Sequence, residues 1–183
     1  MADPSGKTDK ELMDLFLKGD AAGFEGLLAR YRKPVYNLLL RMLGDETRAE
    51  DVFQDVFIAV LREMGDFKGQ GPILNWVLQI AVNLCRNELR AARQKAPVDP
   101  DGLPGAEAGP DEKAEAAELS DLLRKGVAEL SPDHREVFIL RMYQGLKYSE
   151  IGDVLNISEG TAKSRIHYAV TQLRRLLRRH VKE

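Results

Sequence analysis

The sequence predicts an all-α protein of two small helical domains joined by a flexible acidic linker. Apolar residues recur at spacings of three and four along both ends of the chain and nowhere alternate with period two. From residue 96 to about 117 that pattern stops, and four of the eight prolines (Pro97, Pro100, Pro104, Pro110) fall there among acids and alanines, a composition with little capacity to bury surface. The helical stretches begin at side chains that cap N-termini and end at glycines that close C-termini. The expected domains are therefore residues 1–95 and 118–183, with the linker at 96–117.

Thr8-Asp9-Lys10-Glu11 is a capping box ahead of Leu12, Leu15 and Phe16, and Gly19 stops that helix. Asp20 caps the next, whose stripe of Phe24, Leu27, Leu28, Tyr31, Val35, Leu38, Leu39 and Met42 runs to Gly44. Pro34 interrupts it and predicts a kink or a break near Arg32. Asp45 caps a third helix ending near Met64 and Gly65, and a loop from Asp66 to Pro72 leads to a fourth from about Ile73 to Gln94. Past the linker, helical pattern resumes at Glu118 to Leu130. Ser131-Pro132 gives an N-cap with proline at the first helical position, opening a helix that carries Val137, Phe138, Leu140 and Met142 and stops at Gly145.

The last stretch is the most organised. Tyr148 to Leu155 places Ile151, Val154 and Leu155 on one face, and Asn156 tolerates the left-handed conformation in which helices end. Ser158 fits as N-cap of a long helix with Ala162, Ile166, Ala169, Val170, Leu173, Leu176 and Leu177 inside. Lys163, Ser164, Arg165, His167, Tyr168 and Thr171 are left outside. Two helices joined by a tight turn, the second basic outside, look like a DNA-binding helix-turn-helix. A helical hairpin in an ordinary all-α core would share the pattern.

The net charge of −2 hides segregation. From Lys163 to Lys182 lie seven basic residues (Lys163, Arg165, Arg174, Arg175, Arg178, Arg179, Lys182) and no acid, whereas from Ala96 to Glu118 lie seven acids (Asp99, Asp101, Glu107, Asp111, Glu112, Glu115, Glu118) against Lys113 alone. That asymmetry points to nucleic acid. No apolar run nears the roughly 20 residues that span a bilayer, and the polar N-terminus lacks a signal-peptide core, so membrane insertion is not expected and a cytoplasmic address is. One cysteine, Cys85, excludes an internal disulfide and a zinc cluster; its helical setting marks a buried structural thiol. The three histidines are far apart and no nucleophile has an evident base, so neither an enzyme nor a cofactor is expected.

Three surfaces of the first domain carry more information. Asp51, Gln54, Asp55, Ile58 and Arg62 share one stripe, opposite Val52, Phe53, Val56, Phe57, Val60 and Met64. Such a stripe suits a basic helical partner, and taken alone it is more often a solvated face. Phe67, Lys68 and Gln70 lie in the loop, and Trp76, Gln79 and Asn83 follow at i, i+3 and i+7, so an aromatic plane and two amides project together. Aromatics stack on unpaired bases and amides read base edges, unless the lone tryptophan is simply core. Arg86, Arg90 and Arg93 form a row with only Glu88 among them, which suits phosphate contact or a solvated face.

These residues resemble a known family. Ala49-Glu50-Asp51-Val52-Phe53-Gln54-Asp55-Val56-Phe57, Phe67-Lys68-Gly69 and Trp76-Val77-Leu78-Gln79-Ile80-Ala81-Val82-Asn83 look like conserved region two of bacterial sigma factors. Leu130-Ser131-Pro132, Tyr148-Ser149-Glu150-Ile151-Gly152 and Ser158-Glu159-Gly160-Thr161-Ala162-Lys163-Ser164-Arg165-Ile166 look like region four. Two domains without a third indicate the extracytoplasmic-function (ECF) group. The resemblance implies that Asp51, Gln54, Asp55 and Ile58 face the clamp helices of the β′ subunit of core RNA polymerase. It places Phe67, Lys68, Gln70, Trp76, Gln79 and Asn83 at melted minus-ten DNA, in whose recognition the loop from Asp66 to Pro72 receives a flipped base. It places Ser158, Thr161, Lys163, Ser164, Arg165, His167 and Tyr168 at duplex minus-thirty-five DNA, with region four touching the β flap. The linker would thread toward the polymerase active centre, and a separate anti-sigma factor would control the protein. Gly71-Pro72-Ile73-Leu74 departs from the small polar residues and aromatic usual before the tryptophan, Lys147 replaces a Ser or Thr cap, and Ala162 replaces a usual Val. The alternative is a stand-alone helix-turn-helix regulator with a sensing or dimerising N-terminal half.

Overall fold

Helices supply the regular structure throughout residues 6–67, 71–95 and 114–180, the residues described by the computed structural model, and no strand occurs among them. The chain divides into two units, Met1–Pro97 and Val98–Glu183.

The first unit holds α1 (Asp9–Leu17), α2 (Ala21–Leu43), α3 (Glu46–Glu63) and α4 (Ile73–Lys95), with a 3-10 turn at Met64–Asp66 after α3. The caps are those the sequence signals. The Thr8 N–H donates to Glu11 Oε2 at 2.6 Å and the Glu11 N–H to Thr8 Oγ1 at 3.3 Å, closing the capping box. Asp20 and Asp45 accept from the Ala22 and Arg48 N–H groups at 3.0 and 2.8 Å. Gly44 ends α2 at φ 70°. α2 packs on α1, α3 and α4, and α3 on α4, around Val35, Leu38, Leu39, Val56, Leu78, Val82 and the buried Cys85.

Pro34 neither breaks nor ends α2, which runs through it for 23 residues. Proline removes the donor for the carbonyl four residues back, at a cost of about 3 kcal/mol. Leu27, Tyr31, Val35, Leu38 and Leu39 on both sides of it are buried, and each of the four aliphatic side chains among them contributes roughly 1.5–3 kcal/mol. Burial wins, and the helix continues.

α1 crosses α2 where Gly23 and Gly26 leave room. A Cβ on Gly23 would run into the Leu12 carbonyl and the Phe16 backbone nitrogen, and one on Gly26 would meet Leu12 Cδ2 at 2.6 Å. Asp9 completes the crossing by accepting from Arg30 and from the buried Tyr31 hydroxyl of α2. Burial, then the Asp9 hydrogen bond, push the Tyr31 phenol well above its ordinary pKa.

The second unit holds α5 (Ala114–Glu129), α6 (Pro132–Met142), α7 (Tyr148–Leu155) and α8 (Glu159–His180). α8 packs on α5, α6 and α7, and α6 on α7. Helix α5 begins at Ala114, ahead of Glu118 where the apolar pattern resumes; Ala114, Glu115, Ala116 and Ala117 are strong helix formers that extend a helix without an apolar face. The rest of the expected linker, residues 96–113, lies outside the described residues. Arg135 closes the far end of α5: its Nε donates to the Val127 carbonyl at 3.1 Å and Nη2 to those of Ala128 and Leu130.

Ser131 caps α6 through the His134 N–H at 3.4 Å. Lys147 at the start of α7 offers no acceptor, and Glu150 Oε2 instead takes the Lys147 N–H at 2.6 Å. Asn156 stops α7 at φ 55° and the Ser158 hydroxyl accepts from the Thr161 N–H at 3.0 Å to start α8, as the sequence predicts. The turn is tight enough that a Cβ on Gly152 would lie 2.7 Å from the Ile157 carbonyl oxygen. Ala162, Ile166, Ala169 and Leu173 are buried, while Val170, Leu176 and Leu177 are half-buried.

Candidate functional site

The expected residues occupy three faces. On α3, Asp51, Gln54, Asp55, Ile58 and Arg62 are all exposed, while Val52, Val56, Phe57, Val60 and Met64 are buried and Phe53 is half-buried. None of Asp51, Gln54 and Asp55 has a side-chain hydrogen bond or ion pair among the described residues. The stripe extends beyond what periodicity suggested: Leu61, one turn past Ile58, is 46% exposed and helps line a groove of about 370 Å³ with Phe16, Ala21 and Phe24. The i+3 step from Ile58 was the signal for it.

On α4, Trp76 is half-buried, neither core like Leu78 nor fully presented. Its ring centroid lies 5.0 Å from that of Phe67 with the planes tilted by 40°. Gln79 is half-buried and Asn83 exposed on the same side. Lys68 and Gln70 lie outside the described residues, and with them the middle of the Asp66–Pro72 loop. Gly71 takes φ 86°, a backbone that a side chain would strain, and the Pro72 carbonyl accepts from the Asn75 N–H at 3.0 Å as α4 begins. Farther along, Arg48 Nε on α3 donates to Glu88 Oε1 at 3.0 Å, which turns the one acid of the arginine row away from it. Arg90 and Arg93 are exposed with no acidic partner among the described residues, and Arg86 is half-buried.

The outer face of α8 is closely interconnected. The Ser158 and Thr161 hydroxyls are 2.8 Å apart, and Ser164 Oγ donates to the Thr161 carbonyl at 3.0 Å. Lys163 Nζ pairs with Glu159 Oε1 at 2.7 Å, a hydrogen bond that holds the ammonium above its ordinary pKa, and lies 5.7 Å from the Tyr148 ring centroid. Arg141 stands 5.0 Å from the same ring. Lys163, Ser164, His167 and Tyr168 are exposed, as expected of an outer face, but Thr161, Arg165 and Thr171 are half-buried. Arg165 turns toward α6, its Nη2 2.7 Å from Asp133 Oδ2, and Tyr168 stacks on His134. Sequence periodicity gave no sign of Asp133 or His134, because the contacts join residues of different helices. Arg174, Arg175 and Arg178 continue the exposed basic face; the side chains of Arg179 and Lys182 lie outside the described residues.

Such groups can bind but have no evident chemistry to perform. Cationic forks, hydroxyls and amides suit phosphate oxygens and base edges, and paired aromatic rings suit unstacked bases.

Residues 27–95 match the model of Sigma-70 region 2, and residues 126–175 that of Sigma-70, region 4. RNA polymerase sigma factor CarQ of Myxococcus xanthus is 34% identical over 170 residues, spanning 90% of this chain and 95% of that protein. ECF RNA polymerase sigma factor SigW of Bacillus subtilis is 30% identical over 173 residues, spanning 88% and 92%. Among solved structures, CnrH in complex with the cytosolic domain of CnrY superposes with a TM-score of 0.69 at 26% identity, covering 92% of this chain and 96% of that one.

Proposed function

The chain belongs to the ECF sigma factors, which join RNA polymerase and direct it to promoters, and we propose that its two units divide that work between polymerase with melted DNA and duplex DNA. In this reading residues 1–95 bind core polymerase and open the minus-ten element, 118–183 hold the minus-thirty-five element, and 96–117 connect them. Asp51, Gln54, Asp55 and Ile58 meet the β′ clamp helices, and region four meets the β flap. Phe67, Lys68, Gln70, Trp76, Gln79 and Asn83 take the unpaired strand, Arg86, Arg90 and Arg93 its phosphates, and Ser158 to Tyr168 the upstream duplex.

The supporting observation is the pairing of Phe67 with Trp76, two turns before the exposed Asn83 on α4, on a unit whose α3 carries exposed Asp51, Gln54 and Asp55 without side-chain partners among the described residues. A sensor or dimerisation domain requires no such combination. The chain has no catalysis of its own in this reading and works in the cytoplasm beside polymerase; among the described residues no helix is long and apolar enough to cross a membrane. CnrH is bound by the cytosolic domain of another protein, and by the same arrangement a separate anti-sigma factor controls this chain.

Gel filtration with core polymerase, followed by transcription from a library of random upstream sequences, tests the reading. Co-elution and selection of a common promoter are expected. Specific duplex binding by the chain alone, with no affinity for polymerase, would instead establish a stand-alone regulator.

A further inference from the structure

Arg165 does not project from α8 into solvent. Its Nη2 bonds Asp133 Oδ2 at 2.7 Å, and its side chain keeps 24% of its surface against 58% for Asp133. The next residue of α6, His134, stacks on Tyr168 with ring centroids 6.0 Å apart and planes inclined by 27°. Arg165 and Tyr168 are one helical turn apart on α8, so two adjacent residues in the first turn of α6 hold two neighbours on the outer face of α8.

We propose that Asp133 is a specificity-determining positioning residue, which aims the Arg165 guanidinium at a base edge without itself reading DNA. This rests on the reading that α8 enters the major groove. A guanidinium is a planar fork of five donors, so a bond on one edge fixes the plane and leaves the remaining donors available. Bidentate reading of guanine needs two of those donors in the plane of the base. Lys163 differs in kind: its partner Glu159 lies on its own helix, and an ammonium that rotates freely acts as a point charge. Of the two paired cations, Arg165 is therefore the one whose orientation a second helix sets.

The sign of the charge separates this role from a structural one. A carboxylate near the phosphates opposes duplex binding in general, so neutralising it leaves non-specific affinity equal or higher while loosening base choice. An Asp133 that only supported the fold would change affinity for every sequence alike.

Holoenzyme assembled from core polymerase and the full chain is allowed to select from duplexes randomised across the upstream element, and the base preference at each position is measured for the wild type, Asp133→Asn, Asp133→Glu, Arg165→Ala and the double variant Asp133→Asn/Arg165→Ala. Asp133→Asn is expected to lower preference at one position by about fivefold or more, with non-specific binding undiminished. Asp133→Glu restores most of that preference, Arg165→Ala lowers it at the same position, and the double variant is no worse than Arg165→Ala. If Asp133→Asn keeps the preference to within about twofold while Arg165→Ala loses it, the positioning role is overturned and the groove reading stands. If Arg165→Ala keeps the preference, the groove reading fails and the proposal with it. A uniform loss across sequences with a lowered Tm in both Asp133 variants also overturns the proposal, because Asp133 is then structural.

Discussion

Two ion pairs of the first unit lie between helices: Arg30 with Asp9 where α1 crosses α2, and Arg48 with Glu88 between α3 and α4. Two pairs of the second unit lie on the candidate binding face itself, Lys163 with Glu159 within α8 and Arg165 of α8 with Asp133 of α6. The α3 face of the first unit carries exposed carboxylates and an amide with no side-chain partners among the described residues. Side-chain entropy separates Asp51 and Asp55 from Arg165. Aspartates are short, lose little rotamer freedom and remain well hydrated, so they can wait exposed for a cationic partner. Arginine loses up to about 2 kcal/mol of rotamer freedom when fixed, and the partial ordering of Arg165 beforehand lowers what binding must spend.

Reversing the waiting charges gives the largest expected effect. Asp51→Lys combined with Asp55→Lys should weaken core-polymerase binding by about 2–5 kcal/mol if the pair is desolvated there, while the Tm holds. Titration against labelled core and a thermal melt read the two quantities. A fall in Tm with binding intact would show that the α3 face serves the fold.

Next comes Trp76→Ala. Loss of stacking at about 1–3 kcal/mol per base should impair opening of a linear duplex promoter, and a template with a pre-made bubble should rescue it. Since Trp76 is half-buried against Phe67, the melt is done first. A folded variant that opens duplex normally would remove α4 from the melting surface.

Tyr31 tests the interior pairing of the first unit. Its phenol pKa is raised above the ordinary 10.0, first by burial and then by Asp9, so the folded state keeps a proton that the unfolded state loses. The stability this contributes is complete below pH 10.0 and declines as pH rises beyond it. Tyr31→Phe should cost about 1 kcal/mol at neutral pH and flatten that alkaline decline, as read from denaturant midpoints across pH. An unchanged slope would assign the decline to other groups.

The smallest effect is expected of Glu159→Gln. The pair it breaks is exposed, so the Tm should not move measurably. Releasing Lys163 should slightly raise duplex affinity at low salt, and the gain should vanish as salt increases. A marked drop in affinity would mean that Lys163, too, needs its partner for orientation.

What sequence could reveal followed from range. Thr8, Asp20, Asp45, Ser131, Asn156 and Ser158 act within a few residues of themselves, and each caps or stops a helix as its chemistry predicts. The apolar stripes identified the buried side of α3 and most of that of α8 for the same reason. Pro34 signals a kink or a break, and the break does not occur: the local cost of proline is visible in sequence, and the burial that outweighs it is not. The reason for glycine at 23 and 26 is visible only once α1 is laid across them. Arg165 had the right spacing for an outward residue, and only the arrival of α6 beside it supplies Asp133.

Gly152 sets the angle at which α8 leaves the turn, because a Cβ there would stand 2.7 Å from the Ile157 carbonyl oxygen. That angle is fixed by an absent methyl group on the inner side of the motif, remote from the exposed Lys163, Ser164 and His167. Delivery and vocabulary are therefore separable. Lys163, Ser164 and His167 can thus be exchanged one at a time while the turn that presents them keeps its pose, re-spelled without being re-folded.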